Sequence, residues 1–253
     1  QTPKHLLLRF LERHVYHNRL YRKLVPASRF EKDQILKYYR LPPDDIIPVH
    51  GGVDFAHYNP PDREDRRRKK RKELGLSPGE TAALFVGFDF RRKGLPHLLR
   101  ALPQIDGRLR LIAVGGTGGM KLCRRLAREL GIEERVIFTG PIHKESRDFF
   151  FAADLFVFPT LFDPFGTAVL EAMAAGLPVV TSRRVGAAEL ITPGREGYLL
   201  DDPRDPEETA EKANLIMKED KSPEMGEAGR KTARNCSWEK KAEEIIDIYN
   251  QLG

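Results

Sequence analysis

Short apolar runs alternate with stretches of helical periodicity from about residue 80 onward. The apolar runs predict strands at Thr81–Val86, Leu109–Val114, Val136–Phe138, Leu155–Phe158, Val179–Thr181 and Tyr198–Leu200. The stretches between them predict helices at Leu95–Leu102, Lys121–Leu130, Ser146–Ala152, Val169–Ala175, Ala187–Ile191 and Pro206–Lys218. This alternation is typical of a parallel sheet covered by helices. The sequence therefore predicts an α/β fold with a Rossmann-like, doubly wound parallel sheet.

The first 60 residues do not continue this alternation. Their pattern predicts a helical stretch, a short strand, a second helix and another strand, at Leu6–Leu24, Val25–Ala27, Ser28–Tyr39 and Ile46–His50. Ser28 is a suitable N-cap for the second helix, and Glu31 completes a capping box. Two strands and one helix cannot form a core alone, so we expect residues 1–60 to be the end of a second layer or an addition to the edge of the main sheet. At the other end, Trp238–Leu252 is an amphipathic helix.

The composition is that of a globular protein. The chain has 253 residues, of which 40% are apolar and 32% charged, and this excludes disorder, collagen and disulfide-rich scaffolds. Cys123 and Cys236 have no metal-binding spacing, and no apolar run approaches the roughly 20 residues of a membrane-spanning helix. We therefore expect a cytoplasmic protein without a leader segment.

Positive charge is concentrated in one short segment. The net charge is +6, and eight of the eleven residues in Arg63–Glu73 are Lys or Arg. Charge blocks of this kind are usually solvated, so a basic linker over residues 61–79 containing a solvated helix is the first interpretation. A surface for an anionic membrane or an anionic acceptor is the second. A surface for nucleic acid is the weakest interpretation, because no aromatic residues are interleaved with these cations. We therefore expect no nucleic acid as a partner.

The predicted topology indicates where a ligand should bind. In an open α/β sheet, ligands bind beyond the carboxyl ends of the strands. The loops that follow Val86, Val114, Phe138 and Phe158 should therefore line one cleft.

Two of these loops are rich in glycine. The first begins with Gly87, ends with Gly94 and contains Arg91, Arg92 and Lys93 just before a helix, which favours a phosphate or diphosphate. The second, residues 115–119, offers backbone amides and little else. It lacks the G-x-G-x-x-G placement with an acid about 20 residues later, so NAD is not supported and a flexible turn is the simpler interpretation.

The loop after Phe158 and the helix that follows it contain the most residues suited to ligand binding or catalysis. Asp163 lies in the loop, Gly166 opens a helix, and Glu171 follows in the first turns of that helix. A helix N-terminus stabilises a bound phosphate, and the two carboxylates could accept hydrogen bonds from hydroxyl groups of two sugar rings. Taken alone, the same residues also fit a loop acid and a Glu that compensates the helix dipole.

This segment resembles the E-x7-E signature of retaining glycosyltransferases of the GT-B fold, family 4. It reads Asp163-x7-Glu171 and continues as E-A-M-A-x-G-x-P-V-V. The basic loop is similar to the family's V-G-x-x-x-x-x-K-G element, with Lys93 at the diphosphate-binding position. Three further segments resemble motifs of the family. Ile47–Asp54 resembles V-I-x-N-G-V-D, Tyr58–Pro60 resembles F-x-P, and Cys236–Glu239 resembles F-S-W-E. The segment of residues 88–94 is most similar to the corresponding segment of enzymes that add glucose to the lipopolysaccharide inner core.

The resemblance implies roles for particular residues. The catalytic group would be Asp163, which contacts the transferred sugar, and Lys93 with Arg92, which neutralise the leaving diphosphate. The residues that would bind the donor are Gly87, Arg91, Ile142, Phe165, Gly166, Thr167 and Glu171. Glu171 would hold the ribose hydroxyls. No metal ion or cofactor is implied.

The resemblance also implies a domain division and a function. Residues 1–60 would be a remnant of the N-terminal, acceptor-side domain and the inter-domain segment, 80–235 the nucleotide-sugar-binding domain, and 236–253 a crossover helix towards a missing N-terminal domain. The expected reaction is transfer of a hexose, glucose being the expected one, from a UDP-linked donor to a glycan or lipopolysaccharide-type acceptor at the inner face of the membrane. The chain alone should bind donor but be poorly active.

Three departures from the family pattern leave other functions open. Asp163 replaces the usual Glu, Phe88 a common Arg, and Gly51 the usual Asn. Asp163 is one methylene shorter than Glu, which alters its reach to the sugar. A non-catalytic scaffold of the same fold, or a nucleotide-sugar epimerase that needs no acceptor, are the alternatives.

Overall fold

The structure is a computed structural model that describes residues 3–141, 147–218 and 222–252. Its helices are α1 (Pro3–His17), α2 (Arg29–Tyr38), α3 (Arg63–Glu73), α4 (Leu95–Ala101), α5 (Met120–Glu129), α6 (Arg147–Ala152), α7 (Thr167–Ala174), α8 (Pro206–Lys218), α9 (Ser222–Arg234) and α10 (Trp238–Asn250). Its strands are β1 (Thr81–Asp89), β2 (Leu109–Gly118), β3 (Val136–Gly140), β4 (Leu155–Phe158), β5 (Val179–Ser182) and β6 (Gly197–Leu200). The six strands predicted from residue 80 onward are all present, and β1, β2 and β3 run at least two residues further than expected. A 3₁₀ helix, Gly186–Leu190, replaces the helix expected there.

The six strands form one parallel sheet. Their order is β3-β2-β1-β4-β5-β6, which places the first strand in the middle and reverses the direction of winding beside it. The pairing of β1 with β2 is parallel, as are the pairings of β1 with β4 and of β5 with β6. The predicted Rossmann-like fold is confirmed. The switch in strand order lies between β1 and β4, so their carboxyl ends flank the expected ligand cleft.

Aromatic side chains fill the core beneath this cleft. Phe85, Phe156 and Phe158 are each no more than 1% exposed, and their rings pack in series, with the Phe85–Phe158 and Phe156–Phe158 centroids both 5.7 Å apart. A fully buried Phe side chain contributes about 1.5–3 kcal/mol relative to an exposed one. The ends of β1 and β4 therefore rest on a close-packed aromatic layer.

The strands predicted in the first 60 residues are not present. Only an isolated bridge joins Leu24 to Ile46, and Val25–Ala27 and the rest of Ile46–His50 form no strand. Helix α2 is confirmed, and its N-cap Ser28 Oγ accepts a hydrogen bond from the Glu31 amide at 3.0 Å. The two segments predicted as strands nevertheless lie side by side: the Leu24 amide donates to the Asp45 carbonyl at 2.8 Å, and the Ile47 and Val49 amides donate to the Leu24 and Pro26 carbonyls at 2.9 and 3.0 Å. Pro26 and Pro48 have no amide to donate, so this pairing stays too short and irregular to form a strand.

Helix α3 is not the solvated linker helix that its charge suggests. Arg67 donates to Asp154 at 2.6 Å and Arg71 donates to the other carboxylate oxygen at 3.1 Å, while the same oxygen accepts the Ala82 amide at 2.7 Å. Asp154 precedes β4, so these bonds fix α3 to the start of the central sheet. The cations Arg68, Lys69 and Lys72 remain exposed on the opposite face.

The N-terminal segment is joined to the residues that precede α10. The Val53 amide donates to the Cys236 carbonyl at 2.9 Å, immediately before α10. Helix α10 is confirmed, and its N-cap Ser237 accepts a hydrogen bond from the Lys240 amide. Across residues 3–141, 147–218 and 222–252, no helix has the length and apolar character required to span a bilayer.

Candidate functional site

The loop after β1 folds into a tight, hydrogen-bonded turn. The Asp89 carboxylate accepts the amides of Arg91 and Arg92 at 3.1 and 3.2 Å, and the Asp89 carbonyl accepts the Lys93 amide at 2.9 Å. Gly94 ends the turn with φ of +85°, and a Cβ at this position would lie 1.8 Å from the Pro159 carbonyl oxygen. Only glycine permits both the positive φ and this close approach. The turn is thereby held directly against the loop that follows β4.

This contact brings Lys93 to Asp163. The Lys93 ammonium and the Asp163 carboxylate form an ion pair in which both side chains are largely buried, with 13% and 14% exposure. The ammonium also lies over the Phe158 ring, 5.6 Å from its centroid. Arg92 instead donates to the Phe162 carbonyl at 3.0 Å, and Arg91 points into solvent near α5. The three cations of one sequence run therefore occupy three different environments.

Asp163 and Gly166 define the start of α7. The Asp163 amide donates to the Arg184 carbonyl at 3.0 Å, and the Asp163 carbonyl accepts the Gly186 amide at 3.2 Å, which fixes the loop to the segment after β5. Gly166 is the N-cap with φ of +80° and provides no side-chain cap. The Val169 amide donates to the Gly166 carbonyl at 2.8 Å, whereas the amides of Thr167 and Ala168 remain available at the positive end of the helix dipole.

Phe165 and residues from the N-terminal segment support this loop from behind. Phe165 is 5% exposed and stacks with the His50 ring at 6.0 Å, while a Cβ on Gly51 would lie 2.7 Å from the Phe165 ring. The absence of the usual Asn at position 51 is thus explained by packing. Ser28 Oγ donates to the Pro164 carbonyl at 2.5 Å. Phe165 is therefore a packing residue in this structure, two positions before the first available helix amide.

Glu189 completes this support. Its carboxylate accepts the Phe30 amide at 2.7 Å and contacts His50 Nε2 at 2.8 Å. The acid therefore caps the N-terminus of α2 and joins the N-terminal segment to the short helix after β5.

A second part of the site is a cavity of about 190 Å³ next to the ion pair. It is lined by Val86, Gly87, Phe88, Val114, Gly115, Phe150 and Glu171. Gly87 connects the two parts, because a Cβ on it would lie 3.0 Å from Lys93 Cγ. Phe88 is 67% exposed at the mouth of this cavity.

Glu171 is the titratable group of the cavity. Burial raises the pKa of its carboxyl, and a hydrogen bond from the Tyr58 hydroxyl partly opposes this rise. Tyr58 is 6% exposed, and burial together with the Glu171 charge raises the pKa of its hydroxyl. The tyrosine therefore remains protonated beside the Glu171 carboxyl.

The glycine-rich end of β2 is not a flexible turn. Strand β2 runs to Gly118, and a Cβ on Gly115 would lie 2.1 Å from the Gly87 carbonyl oxygen. A Cβ on Gly116 would lie 2.4 Å from the Phe90 ring. These glycines allow β2 to approach the loop after β1 and form a wall of the cavity.

The structure brings most of the predicted site residues to one sheet edge. Arg92 and Phe165 contact the loops at this edge. The predicted residues that surround the edge are Gly87, Lys93, Asp163, Gly166, Thr167 and Glu171. Ile142 lies outside the described residues. Sequence reasoning missed Tyr58 and Phe150, although Tyr58 is a polar variant of the F-x-P phenylalanine and this difference was visible in the sequence. No group of three or more potential ligands is arranged for a metal ion within the part of the chain that the structure describes.

Comparison with known families agrees with this geometry. Residues 66–232 match the family model described as glycosyl transferases group 1. The chain belongs to this family. It is 32% identical over 238 residues to D-inositol 3-phosphate glycosyltransferase of Rhodococcus jostii, and 34% identical over 240 residues to that of Corynebacterium kroppenstedtii. Each match covers 90% of this chain and 52% of the relative, so the chain spans about half the length of the curated relatives it matches.

Solved glycosyltransferases share the fold. The structure of Anabaena Alr3699/HepE in complex with UDP and glucose aligns with a TM-score of 0.86 and 22% identity, covering 98% of this chain and 68% of that one. WaaG, a glycosyltransferase involved in lipopolysaccharide biosynthesis, aligns with a TM-score of 0.75 and 25% identity, covering 89% of this chain and 62% of that one. This group 1 glycosyltransferase chain therefore has a Rossmann-like parallel sheet that matches structures of GT-B glycosyltransferases.

Proposed function

We propose that this chain is the donor-binding part of a retaining glycosyltransferase that transfers glucose from UDP-glucose to a glycan or glycolipid. The observation that carries the proposal is the Lys93–Asp163 ion pair at the uncapped start of α7, connected through Gly87 to the cavity of Glu171. A buried cation and free helix amides suit a diphosphate, and an adjacent buried carboxylate suits a ribose diol. The Anabaena structures with UDP and with glucose support this choice of donor.

Each group has a defined task in the proposed reaction. Lys93 neutralises the diphosphate together with the amides at Gly166 and Thr167, while Glu171 accepts hydrogen bonds from the ribose. Asp163 contacts the sugar once the diphosphate has taken its place beside Lys93. Arg91 or Arg92 adds positive charge, and the proposal requires no metal ion or cofactor.

The proposed chemical step is a front-face displacement. The bond between the anomeric carbon and the diphosphate oxygen breaks, and its electron pair leaves with UDP. The acceptor oxygen forms its new bond on the same face, and its proton passes to the leaving diphosphate. Stabilisation of the developing negative charge is the main contribution of this chain.

Calorimetric titration with UDP, GDP and ADP tests the donor site. UDP should bind, and Lys93→Ala and Glu171→Ala should each weaken its binding. Lys69→Ala, an exposed cation on α3, is the matched control and should bind UDP like the parent chain. A folded chain that binds none of the nucleotides would favour the scaffold function, and release of a free epimerised sugar would favour the epimerase.

We also propose that an anionic membrane contacts α5 and not α3. Arg91, Lys121, Arg124, Arg125 and Arg128 line one surface depression of about 510 Å³ beside the β1 loop. Glu129 and Glu133 pair with two of these cations, at 3.4 and 3.3 Å. Clustered cations contribute about 1 kcal/mol each near an anionic bilayer. On α3, by contrast, one whole face of cations is occupied by contacts with the protein.

Sedimentation with phosphatidylglycerol vesicles tests this surface. The double variant Lys121→Glu/Arg124→Glu should lose binding, while Lys69→Glu/Lys72→Glu, with the same change in net charge, should retain it. Equal loss in both variants, or equal binding to phosphatidylcholine, would contradict a specific surface on α5.

A further inference from the structure

A second cavity, of about 520 Å³, lies between the end of α1 and the end of α2. Its volume is that of a small-molecule site. Among the described residues, it shares no lining residue with the cavity of Glu171, and no carboxylate lines it. The side chains that line it are aromatic or basic: Tyr16, His17, Arg19, Tyr38, Tyr39 and Arg40. We call it the tyrosine cavity.

The tyrosines give this cavity both packed and exposed rings. Tyr16 and Tyr39 join α1 to the residues after α2, with their rings edge-on and their centroids 4.6 Å apart. Tyr38, by contrast, is 72% exposed, and the Lys37 ammonium lies 5.9 Å from its ring centroid. An exposed tyrosine ring offers an apolar face to the C–H groups of a sugar, and its hydroxyl can donate or accept a hydrogen bond. The cavity therefore suits a ligand with an apolar face and a polar rim.

Arg19 has a backbone conformation that usually belongs to glycine. It follows α1 with φ of +48°, the only positive φ of a non-glycine residue in the part of the chain that the structure describes. The Leu20 amide donates to the Val15 carbonyl at 3.0 Å, so the turn closes the helix. Glycine would make this turn at a lower cost. The presence of arginine in a strained turn at a cavity points to a use for its side chain.

The cations of the tyrosine cavity are not neutralised by the protein. The side chains of Arg19 and Arg40 are exposed and form no hydrogen bond or ion pair with other described residues. Residues 3–41 contain ten Lys or Arg and three Asp or Glu, a net charge of +7, whereas the whole chain carries +6. Two guanidinium groups in so positive a segment attract an anion, and arginine is well suited to phosphate because it can donate two parallel hydrogen bonds.

We propose that the tyrosine cavity binds a phosphorylated sugar. The sugar ring packs on Tyr38, and the phosphate accepts hydrogen bonds from Arg19 and Arg40. The same chemistry recognises a free sugar phosphate and a lipid with a sugar phosphate headgroup. The proposal does not rest on the proposed function, because the two cavities have separate lining residues.

Helix α2 connects the tyrosine cavity to the loop that carries Asp163. Phe30, at the start of the helix, packs on Phe162 of that loop, with ring centroids 5.5 Å apart. Tyr38, the last residue of α2, is eight positions further on, a distance of about 12 Å along the helix axis. A glycan of a few sugar units that is held in the cavity can therefore extend to the loop.

Nuclear magnetic resonance of the chain with ¹³C-labelled tyrosine rings locates the site, with glucose 6-phosphate as the probe. Each signal is assigned by its loss in the corresponding tyrosine-to-phenylalanine variant. The probe should shift the signals of Tyr38 and Tyr39 more than glucose or inorganic phosphate does, and it should leave Tyr198 of β6 unchanged. Unchanged signals of Tyr38 and Tyr39 would overturn the proposal, as would a shift confined to Tyr58, which packs against the wall of the other cavity.

Arg19→Gly separates ligand binding from folding. Because glycine suits the left-handed turn, this variant should melt at the same temperature as the parent chain or a higher one. Its affinity for glucose 6-phosphate should nevertheless fall about ten-fold, and Arg40→Ala should have a similar effect. Arg29→Ala, which removes an exposed arginine at the other end of α2, is the control and should bind like the parent chain. Unchanged affinity in Arg19→Gly would overturn the proposal.

Vesicle sedimentation distinguishes the two sources of the ligand. Phosphatidylcholine vesicles are prepared with phosphatidylglucose or with phosphatidylglycerol, which have the same charge, although only the first presents a sugar. Stronger binding to phosphatidylglucose that is lost in Arg19→Gly would support the site with a lipid ligand. Equal binding to both, together with the expected tyrosine shifts, would support the site with a free sugar phosphate.

Discussion

The Lys93 ammonium is paired with the Asp163 carboxylate, seventy positions along the chain, at the point where the loops after β1 and β4 meet. The family resemblance assigns these groups to different parts of the donor, the diphosphate and the sugar. In the structure, each instead neutralises the other. The Asp163 carboxylate therefore neutralises the Lys93 ammonium, the positive charge that a bound diphosphate would need.

Removing the charge of Asp163 should strengthen nucleotide binding. In Asp163→Asn the Lys93 ammonium no longer has a competing anion, so UDP should bind about three- to ten-fold more tightly in calorimetry, a change of about 1 kcal/mol. Lys93→Ala should weaken UDP binding by more than about ten-fold, since charged hydrogen bonds contribute about 1.5–3 kcal/mol. Weaker binding by Asp163→Asn would show that the carboxylate assists the diphosphate and does not compete with it.

Glu171→Gln should stabilise the fold at neutral pH. Because burial raises the pKa of Glu171 above its ordinary 4.5, the folded chain favours the protonated acid. The free energy of unfolding therefore falls as pH rises from 4.5 through the raised pKa, and the neutral amide avoids this loss. Urea unfolding should give a higher midpoint for Glu171→Gln at pH 7 and nearly the same midpoint as the parent chain at pH 4. Equal midpoints at pH 7 would contradict this prediction.

Gly94→Ala should destabilise the site severely. Its φ is +85°, and the new Cβ would clash with the Pro159 carbonyl, so we expect a loss of more than about 3 kcal/mol in urea unfolding. Gly131→Ala is the control, because Gly131 has φ of +66° with nothing within 4 Å of the new Cβ. It should cost only about 1–2 kcal/mol. Similar losses in both variants would mean that the loop moves away from Pro159 at little cost.

Asp154→Ala should loosen α3 from the sheet. The substitution removes the acceptor shared by Arg67, Arg71 and the Ala82 amide, and we expect a loss of about 2–4 kcal/mol. Asp65→Ala removes an exposed pair with Arg68 on the same helix and should change stability by less than about 1 kcal/mol. Amide hydrogen exchange in α3 should accelerate only in the first variant.

The six strands from residue 80 onward were predictable because each buried strand leaves a short apolar run in the sequence. Helix α9 was missed, since Gly226 and Gly229 interrupt its pattern. The structure explains them: a Cβ on Gly226 would lie 2.3 Å from the Gly176 carbonyl oxygen, so the helix needs glycine in order to pack closely on α7. This requirement comes from a contact with another segment of the same chain, so the local sequence gives no sign of it.

The residues of the candidate site could be predicted from the sequence only at positions that a family motif specifies. The sequence placed Lys93, Asp163 and Glu171 in one cleft, and the structure does so too. It could not indicate that the first two are paired, or that Tyr58, from another segment, packs against Phe150 in the wall of the cavity that holds Glu171. Both relationships depend on tertiary packing between segments far apart in the chain, which spacing alone does not encode.

The central position of β1 has a consequence for synthesis. This strand ends at Asp89, yet one of its two neighbours, β4, begins only at Leu155. On the ribosome, β1 can pair with β2 early, while its other edge presents unpaired amides and carbonyls until the later half has emerged. Non-local parallel pairing is slow and leaves such edges open to association with other chains. The strand that lies deepest in the finished sheet is thus exposed for longest while the chain is being made.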